Sequence, residues 1–322
     1  MDWRARLADY LHRRLPAAER VSVARASSMT RGASNDTVLL DIEVVCDGCL
    51  VTVPLVLRPQ RQEGILAPYD VERQFRVMRA LSRTAVPVPP VAWFERDPTV
   101  LGAPFFLMAR LDASSPPLFW YGGRTPELDA IADALAKIHA VDWRAVGLSF
   151  LLPGQGPGPL PSPLVCDLAA WDVRAAYLGL DGDANLARLR EFLLANEPTD
   201  ARHALLHGDP NPGNYLLRDG RVAGVVDWEL AAIGDPRSDL GFYAALMTVF
   251  GGGPGRGSRT VLAEAYEGVT GVPLAALEYY EAVGLYKMAI VAAGWGMFGW
   301  GGYTVQVIES RLASLLGPRW AA

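Results

Sequence analysis

Three polar side chains in the second half of the sequence have the types and spacing that phosphoryl transfer requires. Asp209 and Asn214 lie in the run His-Gly-Asp-Pro-Asn-Pro-Gly-Asn, and Asp227 follows in Val-Asp-Trp-Glu. Phosphoryl transfer needs one carboxylate to orient the attacking hydroxyl and oxygen ligands that hold Mg²⁺ on the phosphates. Mg²⁺ prefers hard oxygen donors and completes its octahedron with water and phosphate. The three side chains therefore predict a magnesium-dependent transfer of a phosphoryl group to a hydroxyl.

The elements around these residues must bring them together. Asp209 and Asn214 are separated as in a kinase catalytic loop, and the prolines and glycine between them keep the loop out of a helix. Residues 213–227 are predicted to form a hairpin that turns at an Asp-Gly pair and returns Asp227 to the loop. Taken singly, such aspartates are typical of turns and caps. Taken together, the three residues favour the catalytic interpretation.

The remaining pattern predicts an α+β chain with two lobes. Residues 2–15 have helical spacing, and strands at 37–45 and 50–57 flank an Asp-Gly turn. A helix capped by Asp70 is predicted to end near Leu81. Two further strands are predicted at 91–94 and 105–111. The helices predicted beyond Asp112 span 126–140, 167–178, 185–195, 237–249, 259–269, 274–292 and 304–315. We therefore divide the chain into a strand-rich N-terminal lobe, residues 1–111, and a helical C-terminal lobe, residues 112–322, with a cleft between them.

The composition narrows the class of protein. The chain has 322 residues, of which 51% are hydrophobic, and a net charge of −5, which argues against a nucleic-acid partner. Cys46 and Cys49 flank an Asp-Gly turn and are predicted to be hairpin thiols, with a redox or metal role as the alternative. The apolar stretch 282–300 contains Lys287 and several glycines, which favours a buried helix and a loop over a membrane span. No signal peptide is recognised, so the expected location is the cytoplasm.

Residues 205–240 resemble the aminoglycoside phosphotransferase (APH) family, relatives of protein kinases that phosphorylate small molecules. The match covers the family's H-G-D-x-x-x-x-N, D-W-E and G-D-P-x-x-D-L signatures, and it is weaker but collinear over 28–141. The resemblance implies a bilobal protein-kinase-like fold, with a small antiparallel N-terminal sheet and one main helix before a larger helical lobe. It implies that Asp209 is the catalytic residue, that Asn214 and Asp227 bind Mg²⁺, and that ATP or GTP is the phosphoryl donor.

The same resemblance implies supporting roles for neighbouring residues. Asp239 is expected to brace the catalytic loop through hydrogen bonds to its backbone, although the residue pattern alone fits a surface position at a helix start equally well. His207 is predicted to be structural, because no second histidine lies at metal-binding spacing. Glu229 is predicted to be an ion-pair partner, with metal ligation as the alternative.

Two N-terminal segments are similar to the family's nucleotide-binding elements. In the first, Gly32 would allow close backbone approach, and Ser34 and Asn35 would donate hydrogen bonds to phosphate oxygens. An ordinary loop is the alternative. The second, Phe105 to Leu111, resembles the hinge strand and is a plain core strand in the alternative interpretation. The hinge interpretation places the adenine ring against three residues: Met108 behind the ring, and the backbone of Ala109 and Leu111.

The sequence departs from the usual pattern where many kinases pair a lysine with a helix glutamate. The N-terminal lobe has no lysine, and the matching positions are occupied by Arg58 and Gln74. Arginine is permanently charged and can bind phosphate with two donors, so nucleotide binding could survive the exchange. A branch of the family linked to acyl-CoA metabolism also carries arginine here. Gln74 can accept a hydrogen bond from Arg58 without supplying charge, and Glu72 is the alternative partner.

The acceptor is the least determined part of the prediction. Trp295, Trp300 and Tyr303 are interleaved with glycines and either line a pocket for a ring-bearing or acylated molecule or belong to the core. Glutamates on the C-terminal helices resemble a solvent face rather than a site for a polycation. These features favour a small-molecule hydroxyl acceptor, a natural product or an antibiotic. The alternatives are a primary-metabolic kinase for a hydroxyacyl or choline-like compound and a non-catalytic nucleotide-binding module.

Overall fold

The chain forms a five-stranded antiparallel sheet followed by a larger, mostly helical part, as the sequence predicts. The computed structural model describes residues 2–29, 37–117, 123–154, 158–251, 257–297 and 302–317. The N-terminal elements are α1 (Trp3–Arg14), β1 (Arg20–Met29), β2 (Thr37–Cys46), β3 (Cys49–Pro59), α2 (Val71–Leu81), β4 (Val91–Glu95), α3 (Pro98–Leu101) and β5 (Phe105–Ala109). The strands are ordered β1-β2-β3-β5-β4.

Strand β1 is the N-terminal strand that the sequence pattern does not predict. It lies at the edge of the sheet as the structure describes it and pairs with β2, with a register shift between Val23 and Arg25. Its arginines and serines dilute the apolar alternation from which a strand is recognised. An edge strand with one exposed face needs few apolar residues, because pairing with β2 holds it in place.

Helix α2 is the main helix of the N-terminal lobe and forms as predicted. The Asp70 side chain accepts a hydrogen bond from the Arg73 N–H at 2.9 Å and caps the first turn. The apolar residues at helical spacing, Val71 and Phe75 among them, are buried. They belong to a core cluster that also contains residues of the C-terminal lobe, such as Trp228. The packing of α2 thus connects the sheet to the segment that carries Asp227.

The C-terminal elements follow the predicted order, with boundaries within a few residues of those expected. They are α4 (Pro126–His139), α5 (Pro163–Tyr177), α6 (Ala184–Ala195), β6 (Ala204–Leu206), β7 (Tyr215–Arg218), β8 (Arg221–Val225), β9 (Ala232–Gly234), α7 (Arg237–Phe250), α8 (Val261–Thr270), α9 (Leu277–Met297) and α10 (Gly302–Leu316). Strands β6 and β9 pair with each other and are absent from the prediction. Each has three residues, too few to show a period.

Two Asp-Gly turns close the predicted hairpins. Asp219 and Gly220 join β7 to β8 with φ values of 51° and 73°, and the turn between β2 and β3 has the same character at Asp47, with φ of 53°. Consecutive positive φ values match the twist of a two-residue hairpin, and Asp-Gly tolerates them. Cys46 and Cys49 are paired in register across the turn between β2 and β3, and both are free thiols.

Helix α9 accounts for the apolar run that raised the membrane question. Its Lys287 is buried and donates to both carboxylate oxygens of Asp167, at 2.8 and 2.7 Å. Over the part of the chain that the structure describes, we find no helix with the length and apolar character needed to cross a bilayer.

Candidate active site

The structure brings Asp209 and Asn214 into direct contact. The Asn214 Nδ2 donates to Asp209 Oδ2 at 2.9 Å and to the Asp209 carbonyl oxygen at 2.8 Å. A second amide, Asn211 Nδ2, donates to the same Oδ2 at 2.8 Å. Gly208 turns the loop with φ of 84°, where a β-carbon would collide with the Leu230 carbonyl group. The loop therefore holds one carboxylate oxygen of Asp209 with two amides.

Asp227 lies beside this loop, at the end of β8. Its φ of 63° places it in the left-handed region, which aspartate tolerates better than most residues. The preceding Val226 N–H donates to the Asn214 carbonyl oxygen at 2.9 Å and joins the two segments. Burial raises the pKa of Asp209, and the charge of Asp227 adds to that rise against the opposing hydrogen bonds from Asn211 and Asn214.

His207 and Asp239 hold the start of the loop. Asp239 accepts hydrogen bonds from the backbone N–H groups of His207 and Gly208, at 2.9 and 2.8 Å. The His207 Nε2 donates to the Val226 carbonyl oxygen at 2.9 Å, and its Nδ1 accepts from the Asp209 N–H at 3.2 Å. These partners correspond to a neutral ring with its proton on Nε2. The contacts are those that the bracing role requires, and the alternative surface position for Asp239 is wrong because it is 1% exposed.

His139, at the end of α4, is a supporting residue that the sequence analysis missed. Its Nε2 donates to Asp239 Oδ2 at 2.9 Å, and its Nδ1 accepts from the Tyr266 hydroxyl at 2.9 Å. Burial favours a raised pKa for Asp239, but the hydrogen bonds with His139 and with the His207 backbone outweigh it, so the pKa is lowered. The available signal was a polar residue on the apolar face of an otherwise regular amphipathic helix.

Arg58 on β3 connects the sheet to the candidate metal ligands. It is buried and forms an ion pair with Asp227. The Arg58 guanidinium also donates to Gln74 Oε1 at 3.5 Å and to Thr37 Oγ1 at 2.7 Å. Gln74 is thus the helix residue that faces Arg58. The alternative partner, Glu72, pairs instead with Arg96 on the exposed side of α2.

The hinge strand already uses one backbone group of a residue predicted to read adenine. The Ala109 N–H donates to the Pro90 carbonyl oxygen at 2.8 Å, because β4 pairs with β5 at this point. An adenine contact through the Ala109 backbone would therefore involve its carbonyl group. Met108 is buried in the core, and the Leu111 side chain covers Gly224, where a β-carbon would lie 2.6 Å from Leu111 Cδ1. Adenine recognition by this segment stays a prediction.

Several predicted site residues lie outside the described part of the chain. They are Gly32, Ser34, Asn35 and Trp300, together with the side chain of Tyr303. Trp295 is described and partly buried, and its ring packs edge-on against Phe250 with 5.2 Å between centroids. This contact favours the interpretation that Trp295 belongs to the core over the interpretation that it lines a substrate pocket.

The donor set suits Mg²⁺ with few protein ligands. Among the described residues, no three His, Cys, Asp or Glu side chains cluster as a metal site. Because the Asn214 Nδ2 is committed to Asp209, the Asn214 Oδ1 would be the atom that binds a cation, and the Asn214 carbonyl oxygen accepts from Val226, the neighbour of Asp227. Two protein oxygens fit an ion that keeps several waters and binds phosphate. Glu229 is nearly buried, and burial followed by the charge of Asp227 raises its pKa to about 8.

Comparison with known proteins identifies a family. The model of the phosphotransferase enzyme family (APH) matches residues 26–279. Acyl-CoA dehydrogenase family member 10 of Mus musculus is 29% identical over 201 residues, which cover 58% of this chain and 18% of that protein. The chain thus spans about a fifth of that relative's length.

Two solved structures share the fold over nearly the whole chain. One is a thermostable mutant of aminoglycoside phosphotransferase APH(4)-Ia in a ternary complex with ADP and hygromycin B, with a TM-score of 0.59 and 17% identity, covering 96% of this chain and 98% of that one. The other is macrolide 2'-phosphotransferase MphH from Brachybacterium faecium, with a TM-score of 0.54 and 21% identity, covering 97% and 98%. At sequence identities this low, the structural similarity establishes the fold and not the activity.

Proposed function

This chain belongs to the APH phosphotransferase enzyme family, and on that premise we propose that it transfers the terminal phosphoryl group of ATP or GTP to a hydroxyl of a small molecule. The observation that carries the proposal is the junction of Asp209, Asn214 and Asp227. Asn214 donates to Asp209 through its side chain and accepts from Val226, the neighbour of Asp227, through its backbone. The contact between Asp209 and Asn214, with Asp227 next to the residue that bonds Asn214, supports the pair of carboxylates and the amide that phosphoryl transfer needs.

In this proposal Asp209 orients the acceptor hydroxyl. Amides of Asn211 and Asn214 hold its Oδ2, and among the described residues Oδ1 is left for the hydroxyl proton. The fixed side chain lowers the entropic cost of aligning the hydroxyl oxygen with the phosphorus atom. Asn214 Oδ1 and Asp227 would hold Mg²⁺, which supplies positive charge to the phosphate oxygens when bound. Arg58, which now pairs with Asp227, would turn to the phosphates of the nucleotide.

Two classes of acceptor remain in the proposal. The solved structures that share the fold include enzymes for hygromycin B and macrolides, which supports a natural product or an antibiotic. The acyl-CoA dehydrogenase relatives support a primary-metabolic acceptor, such as a hydroxyacyl compound. The intact set of Asp209, Asn214 and Asp227 argues against a non-catalytic nucleotide-binding module.

The test is the Asp209→Asn variant with a panel of hydroxyl acceptors. We expect turnover to fall by about a thousandfold or more, while nucleotide affinity changes little, because the carboxylate acts on the acceptor. The readout is mass spectrometry for the gain of about 80 daltons that one phosphoryl group adds. The matched control is Asp219→Asn in the exposed β7–β8 turn, which should keep full turnover. Wild-type turnover in Asp209→Asn would refute the mechanism.

A further inference from the structure

A cavity of about 290 Å³ lies against the candidate active site, between the two lobes. Its walls are the segment Pro68–Asp70 with the first turn of α2, one face of α5, residues 151–153 and the side chain of Glu229. Glu229 is two residues from Asp227, so their α-carbons lie within about 7 Å of each other. This cavity has no role in the proposed mechanism.

Two arginines lie in these walls, Arg174 buried and Arg73 half-buried. The Arg73 Nη2 donates to the Ala231 carbonyl oxygen at 2.8 Å. The Arg174 guanidinium donates to carbonyl oxygens of Leu66, Ala170 and Glu229, at 3.1, 2.9 and 3.4 Å. Each guanidinium has five N–H groups. Within the described ranges, these contacts therefore leave donors on both side chains for a ligand.

Burial leaves both arginines of the cavity poorly solvated. It lowers the pKa of Arg174 against the opposing charge of Glu229, and it lowers the pKa of Arg73 to about 10, with the charge of Arg174 adding to the fall and that of Asp70 opposing it. Arginine keeps its charge in proteins, so both side chains are charged at neutral pH. Asp70 and Glu229 also line the cavity, and Asp70 is held as the cap of α2. A ligand anion between the two guanidinium groups would offset the cost of burying like charges.

We propose that this pocket binds an anionic group of the acceptor, a carboxylate or a phosphate, through Arg73 and Arg174. The proposal rests on the proposed phosphotransfer and names its substrate class: a hydroxyl compound whose anionic group lies several bonds from the reacting oxygen. Planar guanidinium groups bind both kinds of anion with paired hydrogen bonds. Polycationic acceptors would be repelled by the same residues.

The binding experiment does not depend on turnover. Butanoate and inorganic phosphate are titrated calorimetrically into the full chain and into Arg73→Gln, Arg73→Lys and Arg79→Gln. Arg79 is exposed on the same helix and provides the matched control for charge. We expect about tenfold or more weaker binding in Arg73→Gln, a smaller loss in Arg73→Lys, and wild-type binding in Arg79→Gln. Equal affinities in Arg73→Gln and Arg79→Gln would overturn the proposal.

The acceptor experiment separates this inference from the proposed function. Omega-hydroxy carboxylates of increasing length are compared with diols in which a hydroxymethyl group replaces the carboxylate. We expect kcat/KM to favour the hydroxy acids, and Arg73→Gln to lose that preference through KM with kcat retained. Equal use of diols would overturn the anion assignment and leave the phosphotransfer intact. Inorganic phosphate that binds without competing with the hydroxy acids would also overturn it, because a free anion would then be the ligand.

Discussion

At the scale of single residues, the candidate site depends on how two asparagines hold one carboxylate. Asn211 and Asn214 donate to the same oxygen of Asp209, but in the proposed mechanism only Asn214 also binds the cation. Asn211 Oδ1 is buried and has no hydrogen-bond partner within the described residues. A buried acceptor without a donor costs about 1–3 kcal/mol. The loop thus tolerates a locally unfavourable residue that contacts Asp209.

Substitution of Asn211 and substitution of Asn214 should therefore have different effects on activity. We expect Asn211→Ala to lower kcat by about tenfold with little change in stability, because a lost hydrogen bond is offset by the removal of an unsatisfied oxygen. Asn214→Ala should lower kcat further and also raise the Mg²⁺ concentration at half-maximal activity. Titration of Mg²⁺ against initial rate compares the two variants directly. Identical Mg²⁺ curves would contradict the ligand role of Asn214.

The hairpin and the contact between Asp209 and Asn214 could be predicted because the sequence information for them is local. Asp209, Asn214 and Asp227 are recognisable by type and spacing, and the hairpin that unites them has a clear turn signal. The ion pair between Arg58 and Asp227 joins positions 169 residues apart and depends on how the sheet sits on the C-terminal lobe. A contact between positions so far apart produces no periodic pattern in the sequence, so it could not be predicted without the structure.

At the scale of elements, α7 determines much of the geometry around the catalytic loop. Its first turn carries Asp239, and its next turn packs closely on α9 at Gly241, where a β-carbon would collide with the Tyr280 carbonyl group. Gly284 of α9 approaches α7 in the same way. The predicted range of α9, 274–292, is shifted towards the N-terminus relative to the observed Leu277–Met297, because a helix buried on all sides shows no clear period.

The close crossing of α7 and α9 predicts an asymmetric response to one added methyl group. We expect Gly241→Ala to lower the free energy of unfolding by about 2–3 kcal/mol, because backbone lies where the methyl group must go. Gly296→Ala, in the same pair of helices but facing open space, should raise it by about 0.5–1 kcal/mol. Denaturant unfolding of both variants measures the difference. Equal stabilities would show that the helices can separate at little cost.

Asp239 predicts a pH-dependent loss of stability. Its pKa is lowered in the folded state, so its contribution is full above the ordinary carboxyl value of about 4 and is lost as the pH falls. In Asp239→Asn, an amide N–H group faces a backbone N–H donor, and we expect the free energy of unfolding at pH 7 to fall by about 2 kcal/mol. The difference from wild type should shrink towards pH 3. A difference that is constant with pH would contradict the assignment.

At the scale of the whole molecule, one charged pair joins the two lobes beside the candidate active site. Arg58 belongs to the N-terminal sheet, and its partner Asp227 belongs to the C-terminal lobe. The fold class and lobe order were predictable from composition along the chain. The contacts between the lobes could not be predicted, because the β3–α2 connection and α5 are far apart in the sequence and approach each other only in the folded chain.

This ion pair predicts opposite effects of one substitution on metal and nucleotide. In Arg58→Gln, Asp227 loses its competing cation, so we expect Mg²⁺ alone to bind more tightly than in wild type. The nucleotide loses a phosphate contact and should bind about tenfold more weakly. Calorimetry with Mg²⁺, and then with Mg²⁺ and a non-hydrolysable nucleotide, measures both affinities. Changes of the same sign in both affinities would count against the proposed role of Arg58.

The connection between β3 and α2 reaches across to the C-terminal lobe. The Leu66 carbonyl oxygen accepts from Arg174 Nε at 3.1 Å, and a β-carbon at Gly294 would lie 2.8 Å from the Ile65 carbonyl oxygen. A hinge motion of the lobes would therefore disturb α5 and α9 together with the sheet. We expect a bound nucleotide to alter the affinity for the acceptor. Thermodynamic reciprocity then requires the acceptor to alter the affinity for the nucleotide by the same factor.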